Sequence, residues 1–138
     1  MAGAGDWNSG IIAQFRANEG KVGGQFEGAP LLLLTTTGRK SGRTFTSPVM
    51  YLADGGKLLV FGSKGGAPDH PDWYLNLVNN PAVTVEVGTE TFPARAVVLE
   101  GEERDRMYAE QARRFPGFAE YQTKTDRVIP VIALVRES

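Results

Sequence analysis

Glycine and proline divide this chain into short segments, and that division restricts it to a fold of small elements joined by tight turns. The 138 residues include 17 glycines and 8 prolines, which follow no fixed period along the sequence. A fixed period would indicate a repeat protein, whereas scattered glycines and prolines are typical of turns. The sequence therefore predicts many short strands connected by turns.

Six segments have the alternating or β-branched composition of strands: residues 31–37, 43–53, 57–62, 83–87, 92–98 and 128–135. The residues from Gly38 to Gly42 join the first two strands as a hairpin loop, and Gly88 and Thr89 form the turn of a second hairpin. Pro130 lies inside the last segment and has no backbone N–H, so it indicates an edge strand or a bulge.

Three segments have helical patterns: residues 7–19, about 70–79, and 102–115. The first carries Trp7, Ile11, Ile12 and Phe15 on one apolar stripe, so residues 1–20 are predicted to form an N-terminal amphipathic helix. The second begins at a proline, which suits a first helical turn. The third is acidic at its start and basic at its end, as the helix dipole favours.

Short strands joined mostly by hairpins are expected to curl into a closed sheet. We therefore expect residues 1–138 to form a single, mainly β domain of the α+β class, with about six antiparallel strands in a small barrel and helices packed outside it. A length of 138 residues fits one hydrophobic core. A short turn through Phe118 and Tyr121 is expected between the third helix and the last strand.

The charge and residue inventory argue against several classes of function. The net charge is −1, from 15 Lys+Arg against 16 Asp+Glu, so the chain lacks the positive field of a nucleic-acid-binding protein. There is no cysteine, His70 is the one histidine, and neither a zinc motif nor a hydrolase nucleophile elbow is present. We therefore predict no metal site and no hydrolase.

The sequence also predicts where the protein resides. No apolar stretch approaches the ~20 residues that span a bilayer. The N-terminus lacks the basic start and apolar core of a signal peptide. A cytoplasmic location is therefore expected.

The first hairpin loop gathers positive charge. Arg39, Lys40 and Arg43 flank small residues whose backbone N–H groups are accessible, so the loop can meet a phosphate or carboxylate with cations and peptide donors together. A solvated hairpin tip kept polar by its cations explains the same residues equally well. The spacing of the two glycines does not fit a P-loop, which needs a lysine after the second glycine.

A second group of candidate residues follows the third strand. Lys64 adds a positive charge, and Gly65 would let a ligand approach the backbone closely. Trp73 and Asn76 are three residues apart and therefore share a helix face. Core packing is the simpler interpretation of Trp73, whereas a wall beside a flat heterocycle is the functional one.

Four short motifs occur together in this sequence: T-T-G-R-K-S-G followed by Pro48, S-K-G-G, H-P-D-W-Y-L-N-L, and T-D-R-x-I-P. In this order and at similar spacing they resemble the deazaflavin-dependent nitroreductase family, whose members are split β-barrel reductases that use coenzyme F420. The resemblance runs from about Trp7 to Val135. It implies an FMN-binding-split-barrel-like fold, in agreement with the barrel expected from the hairpins.

The resemblance implies a set of coenzyme-binding residues: Arg39, Lys40, Arg43, Pro48, Ser63, Lys64, Gly65, Trp73 and Asn76. The cations of the first hairpin and of the S-K-G-G motif would grip the phosphate and acidic tail of the coenzyme. The ring system would be bordered by Ser63, Trp73 and Asn76. Ser63 and Tyr121 would donate hydrogen bonds to the acceptor and are the implied catalytic residues.

Two departures from the family pattern bear on these roles. Family members commonly carry arginine three residues before the proline, where this chain has Phe45. Arg43 lies two positions earlier, on the same strand face, and is expected to replace that cation. Relatives that reduce bulky nitroimidazoles have tyrosines where this chain has Phe115 and Phe118, so the sequence favours quinone or enone reduction.

The function implied is an F420-dependent oxidoreductase that transfers a hydride from the reduced coenzyme to a quinone, a nitroaromatic or an activated alkene. Two alternatives are a non-catalytic binding module for the coenzyme and a related barrel that holds FMN. Related barrels often pair as homodimers, but no exposed heptad indicates an interface here, so the oligomeric state is open.

The N-terminal helix has two interpretations. It covers the apolar surface of the barrel, which we favour, or it docks on the inner face of the cell membrane to meet a lipid-soluble quinone. Its few cations suit the second interpretation poorly.

Overall fold

The computed structural model describes residues 4–18, 30–54, 57–63, 70–125 and 127–137, without the side chains of residues 4–9 and 54. Its helices are α1 (Ala4–Ala17), α2 (Asp72–Asn79), α3 (Gly101–Arg114) and α4 (Gly117–Thr123). Its strands are β1 (Leu31–Thr37), β2 (Thr44–Asp54), β3 (Lys57–Phe61), β4 (Ala82–Val87), β5 (Glu90–Val98) and β6 (Val131–Arg136).

The six strands form a closed barrel in the order β1-β2-β3-β6-β5-β4, and every neighbouring pair is antiparallel. This confirms the predicted barrel with flanking helices. Because strand direction alternates around the barrel, β1 and β3 end at the same rim. The connections that follow these two strands therefore meet at one end of the barrel, together with α2.

Side chains alternate between the inside and the outside of the barrel, as the two-residue strand period requires. The interior is filled by a buried cluster of Leu32, Leu34, Val60, Val83, Val85, Phe92, Ala94, Ala96, Ile132 and Leu134. Helix α2 adds Leu77 to this cluster and packs Trp73 and Tyr74 against it. It thereby closes the end of the barrel at which β1 and β3 finish.

Helices α3 and α4 cover part of the outer surface of the barrel. Met107 and Tyr108 of α3 and Phe118 of α4 pack on the outward side chains of β3 and β6, among them Phe61 and Val131. The hydroxyl of Tyr108 donates a hydrogen bond to the carbonyl of Phe118, which joins the two helices. Burial raises the pKa of Tyr108, so this phenol keeps its proton at neutral pH.

Helix α1 packs on the outer face of β1. Phe15 is buried against Leu31 and Leu33, and Ile11 and Ile12 lie beside this cluster. The apolar stripe of the helix is thus in contact with the barrel, which supports the interpretation favoured from the sequence. Among the described residues, no helix has the length and apolar character needed to cross a membrane.

Two sequence predictions near the C-terminus are wrong. The turn expected through Phe118 and Tyr121 is the helix α4, because burying Phe118 against α3 and β3 stabilises a helical turn. The last strand begins at Val131, one residue after Pro130, and pairs with β3 and β5. It is a central strand and not an edge, so the missing N–H of Pro130 falls outside the ladder.

Candidate functional site

A cleft of about 480 Å³ opens at the end of the barrel closed by α2. It lies between the β1–β2 hairpin and the start of α2. The residues that line it are Ile12, Thr36, Gly38, Arg39, Lys40, Ser41, Phe45, Thr46, Ser47, Asp72, Trp73 and Asn76. The basic hairpin and the D-W-Y-L-N segment, 30 or more positions apart in the sequence, therefore share one cavity.

Glycines give the hairpin its compact shape. The N–H of Gly38 donates to the carbonyl of Arg43 and the N–H of Gly42 donates to the carbonyl of Gly38, which closes the loop on itself. Gly42 has a φ of 75°, a left-handed conformation that favours glycine. A Cβ on Gly38 would lie 2.6 Å from Cε2 of Phe45, so a glycine there lets that ring cover the loop.

A buried amide anchors the hairpin to α2. The Oδ1 of Asn76 accepts from the backbone N–H of Arg39 at 3.2 Å and from Nη1 of the same arginine at 2.9 Å. The Nδ2 of Asn76 donates to Oγ1 of Thr36 at 3.2 Å. Asn76 and Thr36 are both almost fully buried, so this network is held away from water.

The cations of the cleft differ in how they are paired. Arg39 also contacts Asp72, whose Oδ1 lies 3.4 Å from Nη2, but this carboxylate is 85% exposed and therefore a weak partner. In the described part of the chain, no carboxylate lies within salt-bridge distance of Lys40, and the backbone N–H groups of Lys40 and Ser41 have no acceptor. The rim of the cleft is thus rich in unused donors.

The remaining lining combines hydroxyls with an aromatic wall. Oγ1 of Thr46 is 2.8 Å from Oγ1 of Thr35, and Ser47 and Ser41 add further hydroxyls. Trp73 lines the cleft and packs against the barrel core at the same time. Cations, one of them without a carboxylate partner among the described residues, and hydroxyls beside a flat apolar surface fit a ligand with an anionic part and a planar part.

The structure brings together four of the residues proposed from the sequence: Arg39, Lys40, Trp73 and Asn76 all line the cleft. Arg43 is close to it, with its guanidinium carbon 5.9 Å from the ring centroid of Phe45. Pro48 lies on β2, opposite Leu33 of β1. Among the described strands, this part of β2 pairs with β1 and with no other strand, so the missing N–H of Pro48 costs nothing.

Of the other candidates from the sequence, two do not line the cleft and two lie outside the described residues. Ser63 is buried at the same end of the barrel as the hairpin, but it is not among the residues that line the cleft. Tyr121 lies on α4, with its ring 5.2 Å from that of Phe118 and within the cluster formed with α3. Lys64 and Gly65 lie outside the described residues.

Sequence reasoning missed several residues of the cleft, and two of them carried a detectable signal. Thr36 continues the inward period of Leu32 and Leu34, so a hydroxyl is expected inside the barrel near its rim. Asp72 precedes Asn76 by four residues and therefore shares its helix face. The contact of Phe45 with Gly38 depends on loop geometry and had no sequence signal.

Residues 9–136 match the model of a family described as F420H(2)-dependent quinone reductase. An F420H(2)-dependent quinone reductase of Mycobacterium tuberculosis (strain ATCC 25618 / H37Rv) is 37% identical over 131 residues, which are 90% of this chain and 86% of that protein.

Two solved structures are also similar to this chain. One, described as an F420-H2 dependent reductase (FDR-A), is 46% identical, with a TM-score of 0.70 over 76% of this chain and 93% of that one. The other, described as a domain-swapped dimer, is 39% identical, with a TM-score of 0.72 over 96% of this chain and 99% of that one.

Proposed function

Because this chain belongs to the F420H(2)-dependent quinone reductase family, we propose that it transfers a hydride from reduced F420 to a quinone in the cleft beside α2. Family membership makes it an oxidoreductase that uses this coenzyme, in agreement with the sequence resemblance. The observation that carries the proposal is the convergence of Arg39 and Lys40 on the cavity that Trp73 borders.

The cleft residues fit the two parts of this coenzyme. Arg39, Lys40 and the backbone N–H groups at the hairpin tip would hold its phosphate and acidic tail, since charge-assisted hydrogen bonds are the strong ones. Trp73 would support the planar ring and keep water from one side of it. Arg43 and Pro48 would act from the adjoining part of the hairpin.

Bound reduced F420 supplies the hydride, and the protein aligns donor and acceptor and stabilises the charge that develops on the acceptor. Ser63 and Tyr121 do not line this cleft, so their proposed role as hydrogen-bond donors to the acceptor oxygen rests on the sequence resemblance alone. Lys64 and Gly65, which follow Ser63 in the S-K-G-G motif, complete the proposed binding set on the sequence resemblance.

The acceptor proposed is a quinone, with activated alkenes as a further class. Phe115 and Phe118 offer no hydroxyl, and Phe118 is buried between Phe61, Tyr108 and Tyr121. Relatives that reduce bulky nitroimidazoles have tyrosines at these two positions, so on the sequence resemblance we expect bulky nitroimidazoles to be poor substrates.

The experiment is to follow the absorbance of reduced F420 with the protein, with and without added quinone. The proposed function predicts that reduced F420 is oxidised faster when the protein and the quinone are both present than when either is present alone. A pure binding module would bind the coenzyme but give no such acceleration. An FMN-binding barrel would instead retain FMN and change its absorbance.

A second copy of this chain is the proposed protein partner. A relative 39% identical to this chain is described as a domain-swapped dimer. In this chain Val97 of β5 and Val135 of β6 are exposed on the outer face of the barrel and are diagonal neighbours. Light scattering at several protein concentrations tests the pairing, and a monomer mass at all of them would reject it.

A further inference from the structure

The geometry points to Asn76 as a positioning residue that directs the guanidinium of Arg39 into the cleft, an inference that rests on the proposed function. The hydrogen bonds fix the orientation of the amide. Both contacts from Arg39 come from N–H groups, which can only donate, so the oxygen of Asn76 must face them. The amide nitrogen therefore faces Thr36, whose hydroxyl accepts.

This arrangement leaves Asn76 little capacity for a ligand. Both acceptor positions of Oδ1 are used by Arg39, and one N–H of Nδ2 is used by Thr36. The side chain is also almost fully buried, at 4% exposure. Asn76 therefore acts mainly through Arg39, although it lines the cleft.

The same oxygen holds two parts of Arg39 at once. Its contact with the backbone N–H sets the position of the hairpin tip, and its contact with Nη1 sets the direction of the side chain. The exposed carboxylate of Asp72 is the other partner of Arg39 among the described residues, and it is too solvated to fix a rotamer. Nε and the remaining guanidinium protons stay available to an anion.

The consequence is preorganisation of the anion site. A flexible arginine must lose rotamer freedom when a ligand binds, and holding it beforehand removes that cost. Releasing one such side chain weakens binding roughly 2- to 10-fold. Asn76→Ala is therefore expected to raise the dissociation constant by this factor, but only while Arg39 is present.

A double-mutant cycle tests this inference. The dissociation constant of oxidised F420 is measured by fluorescence for the wild type, Asn76→Ala, Arg39→Ala and the double variant. The expected result is that the double variant binds as weakly as Arg39→Ala and no more weakly. Asn79→Ala, an exposed asparagine on the same helix, is the matched control and should leave binding unchanged.

Independent, additive losses from the two substitutions would overturn the inference, because Asn76 would then contact the coenzyme itself. Unchanged binding in Arg39→Ala would overturn the proposed coenzyme site as well, so the two failures are distinguishable. Urea unfolding of each variant without coenzyme shows whether the barrel is intact. If Asn76→Ala does not fold, Asn76→Ser replaces it in the same cycle with the same expected result.

Discussion

The guanidinium of Arg127 donates to the main-chain carbonyl of Ser63 at 2.8 Å, across 64 positions of sequence. The same group donates to the carbonyl of Gly62 at 2.9 Å and lies 3.1 Å from Nδ1 of His70. Arg127 belongs to the T-D-R-x-I-P motif, for which the sequence suggested no role. In the structure it ties the end of β3 to the start of α2.

Arg127→Ala should therefore destabilise the fold. It would leave two carbonyls of buried residues without their donor, and each unsatisfied group costs about 1–3 kcal/mol. Urea denaturation should show a loss of at least about 2 kcal/mol. Arg106→Ala, at an exposed position on α3, is the control. Equal stability of the two variants would show that these bonds contribute nothing.

Phe15→Ala tests whether α1 belongs to the barrel. Phe15 is 2% exposed and packs on Leu31 and Leu33, so its removal leaves a cavity that should cost about 3–5 kcal/mol of unfolding free energy. Asn18→Ala, at an exposed position after the helix, should have little effect. Neither the wild type nor Phe15→Ala should co-sediment with liposomes. If the wild type did co-sediment, and Phe15→Ala kept its stability but no longer co-sedimented, membrane docking of α1 would be favoured instead.

Asp72→Asn should strengthen coenzyme binding. The Asp72 carboxylate competes for Arg39 and places a negative charge at the rim of a cleft proposed to hold an anion. Because the group is exposed, the gain should be small, about 2- to 5-fold in dissociation constant, and should shrink as salt is added. Asp105→Asn removes a similarly exposed carboxylate that pairs with Arg104 outside the cleft, and it should not change binding. Weaker binding in Asp72→Asn would contradict the proposed position of the anion.

Glu110 should make the stability of the fold slightly dependent on pH. Hydrogen bonds from Arg113 and Arg114 lower the pKa of Glu110 from 4.5 to about 2. The folded-state pKa lies below the ordinary value, so the stabilisation is complete above about pH 4.5 and is lost as the pH falls towards 2. Glu110→Gln should therefore melt slightly below the wild type at pH 7, and the difference should disappear near pH 2. A constant difference at all pH values would contradict this account.

The hairpins could be predicted from local patterns, whereas the C-terminal details could not. The alternation of Val83, Val85 and Val87 and the turn at Gly88 define a hairpin without reference to the rest of the chain. The start of β6 depends on pairing with two distant strands, and α4 depends on burial of Phe118. Such tertiary contacts override local signals.

In the candidate site, too, the local features could be predicted from the sequence and the long-range contacts could not. Sequence located the cations of the hairpin and the aromatic face of α2, because each is a local feature. It did not show that Asn76 bonds to Arg39 rather than standing free beside a ligand, since those residues are 37 positions apart. It also did not show that Asp72 pairs with Arg39, because that contact depends on how the hairpin meets the helix.

The most direct test of the account is the affinity of oxidised F420 for Lys40→Ala, measured by fluorescence titration beside the wild type. Lys40 lines the cleft, and a lost charge-assisted hydrogen bond of about 1.5–3 kcal/mol should weaken binding roughly 10-fold or more. Lys57→Ala, at the opposite end of the barrel, should bind as the wild type does. An unchanged dissociation constant in a folded Lys40→Ala variant would contradict the placement of the coenzyme in this cleft.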